Sequence, residues 1–81
     1  MTAAPSLTTR RVLVTGADGF LGRGVVAALA REGVSTLVAA DVREVPAERR
    51  LPGVIYLVQD VRDPALAQTL AAHAIDSVVH L

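Results

Sequence analysis

The chain has 81 residues, 52% of them hydrophobic, with eight basic and eight acidic side chains and no cysteine. That composition describes one core-rich globular unit, and its neutrality argues against nucleic acid as a partner. It also leaves no disulfide framework or thiolate metal site, and no apolar run approaches the ~20 residues that span a bilayer.

Residues 1–10, rich in Thr, Ala, Ser and Pro, read as a flexible leader. They lack the basic start and long apolar core of a signal peptide, so cytoplasm is the expected compartment. The apolar run Val12-Leu13-Val14 predicts a first strand over Arg11 to Thr15. Gly16, Gly19 and Gly22 follow, spaced three apart. Phe20 to Glu32 has helical periodicity: Leu21, Val25, Ala28 and Leu29 fall on one face, and Arg23, Arg31 and Glu32 can reach solvent. Asp18 is placed to cap the start of this helix and Gly33 to end it. Ser35 to Ala40 predicts a second strand ending at Asp41, its unbroken apolar character suiting a parallel sheet covered on both faces. Arg43 to Pro52 is charged and broken by Pro46 and Pro52, which predicts a loop or at most a short helix. Gly53 opens a third strand, Val54 to Gln59, bounded by Asp60. Asp63-Pro64 reads as an N-cap with proline at the first helical position, and Leu66, Leu70 and His73 or Ala74 give that helix an apolar stripe. Ile75 to Leu81 predicts a fourth strand that stops without turn or polar cap, the expectation for the front part of a longer protein.

Alternating strands and helices predict an α/β fold, a doubly wound parallel sheet in the order 3-2-1-4 with right-handed crossovers. A ligand crevice is expected at the carboxyl ends of strands one and four. Strand, glycine loop and helix together suit a dinucleotide pyrophosphate, which is held by backbone N–H groups and a helix N-terminus and tolerates no side chain in its path. In that reading Gly16 makes the turn after the strand, Gly19 lets backbone approach the pyrophosphate, and Gly22 lets the helix sit close on the sheet or the cofactor.

Asp41, 19 positions beyond Gly22 at the end of the second strand, can accept hydrogen bonds from the adenosine ribose hydroxyls, or it merely terminates the strand. A carboxylate there would repel a 2′-phosphate, which favours NAD over NADP, while Arg43 keeps NADP open. Asp60 could accept from the adenine amino group while the Val61 N–H meets a ring nitrogen; it could also start an Asx turn, or do both. Asp18 beside a pyrophosphate would be repelled and is expected to point away. His80 reads as a buried, hydrogen-bonded histidine and Tyr56 as core. His73 and His80 have no companion ligand set, so no metal is expected. The chain has no lysine, and no catalytic residue is assigned within it.

Thr15-Gly16-Ala17-Asp18-Gly19-Phe20-Leu21-Gly22, Asp41, Asp60-Val61-Arg62-Asp63 and Asp76-Ser77-Val78-Val79-His80-Leu81 together resemble the extended short-chain dehydrogenase/reductase family, notably its NAD-dependent epimerases and dehydratases of nucleotide sugars. The resemblance runs from residue 11 to the last residue. It implies the N-terminal half of a Rossmann-type domain, with Gly16, Gly19, Phe20 and Leu21 on the pyrophosphate, Asp41 on the ribose, and Asp60 and Val61 on the adenine. It further implies hydride transfer to or from a nicotinamide ring, through a tyrosine and lysine four apart and a nearby serine or threonine, all beyond residue 81. Gln59, where the family often has glycine, and Arg23-Gly24 depart from its pattern. The expected whole is a homodimeric NAD-dependent oxidoreductase, epimerase or dehydratase acting on a nucleotide sugar or related hydroxyl compound. Two other readings stay open: a non-catalytic NAD(P)-binding sensor of the same fold, and an extended-branch reductase of a small non-sugar alcohol or ketone.

Overall fold

In a computed structural model describing residues 7–81, four parallel strands form one sheet in the order β3-β2-β1-β4. The strands are β1 (Arg11–Thr15), β2 (Thr36–Asp41), β3 (Ile55–Val58) and β4 (Ser77–His80); the helices are α1 (Phe20–Arg31) and α2 (Leu66–Ala72). This is the doubly wound, Rossmann-type arrangement that the strand and helix alternation predicts. Of the leader expected over residues 1–10, residues 1–6 lie outside the described residues, and Leu7–Thr9 form a single 3-10 turn.

The order follows from burial. β1 pairs with β2 in the register Val12↔Leu37 and Val14↔Ala39, and with β4 as Leu13↔Val78. As an inner strand it needs apolar side chains on both faces. Val12 and Val14 join Ala17, Val26, Leu37 and Ala39 in a cluster under α1. Leu13 joins Val38 and Ala40 on the opposite face, where Leu66, Leu70 and Ile75 pack. The apolar stripe expected on the second helix therefore exists in Leu66 and Leu70, but not in Ala74, which lies beyond the helix at φ +50.

Both helices end in the same way. At α1 the Gly33 N–H donates to Ala30 O at 3.1 Å and Val34 N–H to Leu29 O at 3.5 Å. At α2 the Ala74 N–H donates to Ala71 O at 3.1 Å and Ile75 N–H to Leu70 O at 2.9 Å. This is the Schellman pattern, which requires a left-handed residue after the cap. Gly33 supplies it with φ +72, whereas alanine is made to supply it at 74. That turn draws Ile75 out of the expected fourth strand, which begins at Ser77.

The buried face of α1 corrects the sequence reading by one position. Gly22 and Val26 are its buried residues, with Val25, Leu29 and Ala30 packed beside them. Leu21 is 68% exposed. A Cβ on Gly22 would stand 2.0 Å from Gly16 O and 2.8 Å from Ala17 Cα, so the helix meets the loop through a position where only hydrogen fits. A contact made by glycine leaves no mark in hydrophobic periodicity.

The second expected connection, 43–52, contains only the 3-10 turn Ala47–Arg49. Tyr56 packs against the α1-side cluster, as expected of a core residue, and its hydroxyl accepts the Leu51 N–H at 2.8 Å.

Candidate functional site

The glycine loop lies at the carboxyl end of β1, an inner strand of the sheet. Gly16 turns the chain with φ +66, and a Cβ there would meet Leu81 O at 2.9 Å, so the turn is seated against the end of the fourth strand. Below it, Thr15 Oγ1 and His80 Nδ1 are hydrogen-bonded at 2.7 Å. His80 is thus partnered as expected, but among the described residues it is exposed rather than buried.

Gly19 stands apart from Gly16 and Gly22. Its φ is −72°, which any residue adopts, and a Cβ would meet only Gly16 O, at 3.4 Å. The fold itself therefore tolerates a side chain at 19, and glycine leaves open space in front of the loop. Gly19 is also the N-cap of α1, with no side chain satisfying the first amides and no acidic residue in the first turn. Those free amides and the helix dipole suit an anion. The expectation that Asp18 caps this helix is wrong: its carboxylate is taken by Arg49, with Nη2 to Oδ2 at 2.6 Å and Nε to Oδ1 at 3.0 Å. This hydrogen bond to Arg49 is the main cause that lowers the Asp18 pKa. No local spacing could have signalled a partner 31 positions away.

Asp41 closes the other side. Its Oδ2 accepts the Asp18 N–H at 3.0 Å, its Oδ1 the Arg43 N–H at 3.3 Å, and its carbonyl the Gln59 N–H at 2.8 Å. The strand-terminating role is therefore real, and the carboxylate still faces the crevice. A cavity of about 390 Å³ is lined by Gly16, Gly19, Phe20, Leu21, Gly22, Asp41 and Leu81. A second, of about 180 Å³, takes in Asp41, Gln59, Asp60, Val61 and His80. The structure thus gathers Gly16, Gly19, Phe20, Leu21, Gly22, Asp41, Asp60 and Val61 around two cavities that share Gly16, Asp41 and Leu81. Arg43 lines neither; it meets the site only through its backbone.

Asp60 makes the Asx turn: its Oδ1 accepts the Arg62 N–H at 2.9 Å. The Arg62 guanidinium adds a 2.6 Å contact to Oδ2 and, chiefly through this side-chain bonding, holds the Asp60 carboxyl down at about 2. At neutral pH it is a pure acceptor. The expected N-cap at Asp63 is displaced: α2 takes Ala65 as its N-cap, with no side-chain cap bond and Pro64 ahead of the helix, and Asp63 Oδ1 accepts the Ala65 N–H at 2.8 Å in the turn before it. Sequence reasoning did not single out Gln59 as a residue of this cavity: its Oε1 is buried with no hydrogen-bond partner among the described residues, a state that carries a desolvation cost. Among the described residues no group of three His, Cys, Asp or Glu is placed to hold a metal, and no helix is long and apolar enough to cross a membrane.

The profile of the NAD dependent epimerase/dehydratase family matches residues 12–81. The chain belongs to that family. NAD is the cofactor of the family, and the residues present fit it: an open Gly19, free helix amides, and a carboxylate at the end of β2. Among solved structures, the uronate dehydrogenase of Agrobacterium tumefaciens is 32% identical, with TM-score 0.67, over 91% of this chain and 26% of its own. The enzyme WbmF of Bordetella bronchiseptica, solved with NAD+ and UDP, is 28% identical, with TM-score 0.75, over 98% and 24%. A GalE-like L-threonine dehydrogenase from Cupriavidus necator is 27% identical, with TM-score 0.74, over 88% and 23%. The chain therefore spans about a quarter of the length of these structures. Comparison with curated proteins returns no match.

Proposed function

We propose that this chain supplies cofactor-holding residues of an NAD-dependent oxidoreductase, epimerase or dehydratase acting on a nucleotide sugar or related hydroxyl compound. The observation that carries the reading is Gly19. Conformation and packing leave it free to bear a side chain, yet it lacks one where free helix amides face a cavity shared with Asp41. Bound NAD would exchange hydride with the substrate at its nicotinamide ring.

The chain's own residues would bind and orient. The loop at Gly16 and Gly19 and the amides of Phe20, Leu21 and Gly22 would hold the pyrophosphate. Asp41 would accept from the ribose hydroxyls and oppose a 2′-phosphate, with Arg43 beside it through its backbone. Gln59, Asp60 and Val61 line the cavity where adenine would lie. The proton-transfer residues would follow Leu81. WbmF, solved with UDP, supports the nucleotide-sugar reading. The likeness to a threonine dehydrogenase favours, as a second reading, a small non-sugar alcohol.

Titration of the purified protein with NADH and NADPH, followed by cofactor fluorescence, tests the proposal. Saturable binding with preference for NADH supports it; no binding of either would overturn it.

A further inference from the structure

We propose that Arg49 is the counter-charge that lets Asp18 stand in the phosphate loop, so that a residue outside the cofactor's contact set governs affinity for the pyrophosphate. Asp18 lies between Gly16 and Gly19, yet its side chain is turned to the opposite face of the loop. There it lines a separate cavity of about 200 Å³ with Val26, Arg49 and Tyr56. Its side chain is only 15% exposed. Arg49 reaches it from the connection between β2 and β3 and binds both carboxylate oxygens, the planar fork that a lysine cannot reproduce.

The electrostatic reason is proximity. Asp18 belongs to the same loop as Gly16 and Gly19, which line the crevice, and its backbone N–H is bound by Asp41 on that side at 3.0 Å; salt screens charges only beyond ~8 Å. Unpaired, Asp18 would oppose the two negative charges of a pyrophosphate arriving on the other side. Arg23 and Arg43 also act on Asp18, but through space and without a hydrogen bond. Arg49 alone makes the direct contact among the described residues. A simple staple, holding the connection against the loop, would use the same bonds but would not distinguish ligands with phosphate from those without.

That difference is the test, and it rests on the dinucleotide reading above. Dissociation constants for NADH, ADP and adenosine are measured for the parent protein and for Arg49→Met, Asp18→Asn and the double variant. Arg49→Met is expected to weaken NADH and ADP about tenfold, less so at high salt, and to leave adenosine unchanged. In the double variant NADH affinity returns to within about twofold of the parent, since there is no longer a charge to neutralise. Equal weakening of adenosine, an unchanged NADH constant in Arg49→Met, or a double variant as weak as Arg49→Met would overturn the proposal. Should thermal melting show that Arg49→Met does not fold, Asp18→Asn decides: it should bind NADH at least as tightly as the parent, and tenfold weaker binding refutes the counter-charge. Failure of the parent protein to bind NADH would instead reject the dinucleotide reading, and this inference with it.

Discussion

The carboxylate of Asp41 accepts the backbone N–H of Asp18 at 3.0 Å, joining the end of β2 to the middle of the glycine loop across 23 positions. One side chain thus both shapes the loop and faces the cavity where a ribose would lie. Asp41→Ala is expected to weaken NADH binding and to relax the preference over NADPH. It should also lower stability by about 1–2 kcal/mol, because two backbone N–H groups lose a charged acceptor. Parallel NADH and NADPH titrations with a urea melt check this, and unchanged selectivity would remove Asp41 from the ribose site.

Gly19 and Gly22 should fail differently. Gly22→Ala drives a Cβ to 2.0 Å from the Gly16 carbonyl, a backbone atom that cannot rotate away, so unfolding or a loss of more than about 3 kcal/mol is expected. Gly19→Ala should fold with a cost within about 1 kcal/mol, that of replacing glycine at an N-cap, yet lose most NADH affinity. Denaturation curves paired with NADH titration separate the two. A Gly19→Ala protein that binds normally contradicts the loop assignment.

Ala74 offers a gain. It occupies in α2 the left-handed position that Gly33 fills in α1. Ala74→Gly removes the strain of a Cβ at positive φ and should raise stability by about 1 kcal/mol, visible as a higher denaturation midpoint. A lower midpoint would show that the φ of 50° costs this chain nothing.

Asp60 titrates low because Arg62 binds its ionised form, so the pair favours the folded state above the ordinary carboxylate range. That contribution disappears as pH falls through about 2. Arg62→Ala should move the Asp60 pKa up towards the ordinary 3.8, as read from its carboxyl carbon chemical shift during an NMR pH titration. A pKa that stays near 2 would mean that backbone hydrogen bonding, not the guanidinium, sets it.

The sheet order was legible because Leu13, Val14 and Val38 sit in runs apolar on both faces, and such runs have room only in the inner strands of a parallel sheet. Asp41 at the strand end and the turn at Gly16 were legible as well, since each is set by its own short segment. What escaped was decided across the chain. The face of α1 was displaced by one residue because its closest contact is made by Gly22, which carries no hydrophobic signal. Local spacing points Asp18 to the nearest helix end, whereas its partner Arg49 arrives from the connection after β2.

The turn at Gly16 lies between two neighbours. Thr15 before it belongs to a strand hydrogen-bonded on both sides, and the carbonyl of Leu81 stands 2.9 Å from where a Cβ would be. An anion binding there would therefore meet amides whose directions are already set. Little chain entropy is left to surrender on binding, and more of each new hydrogen bond can appear as affinity.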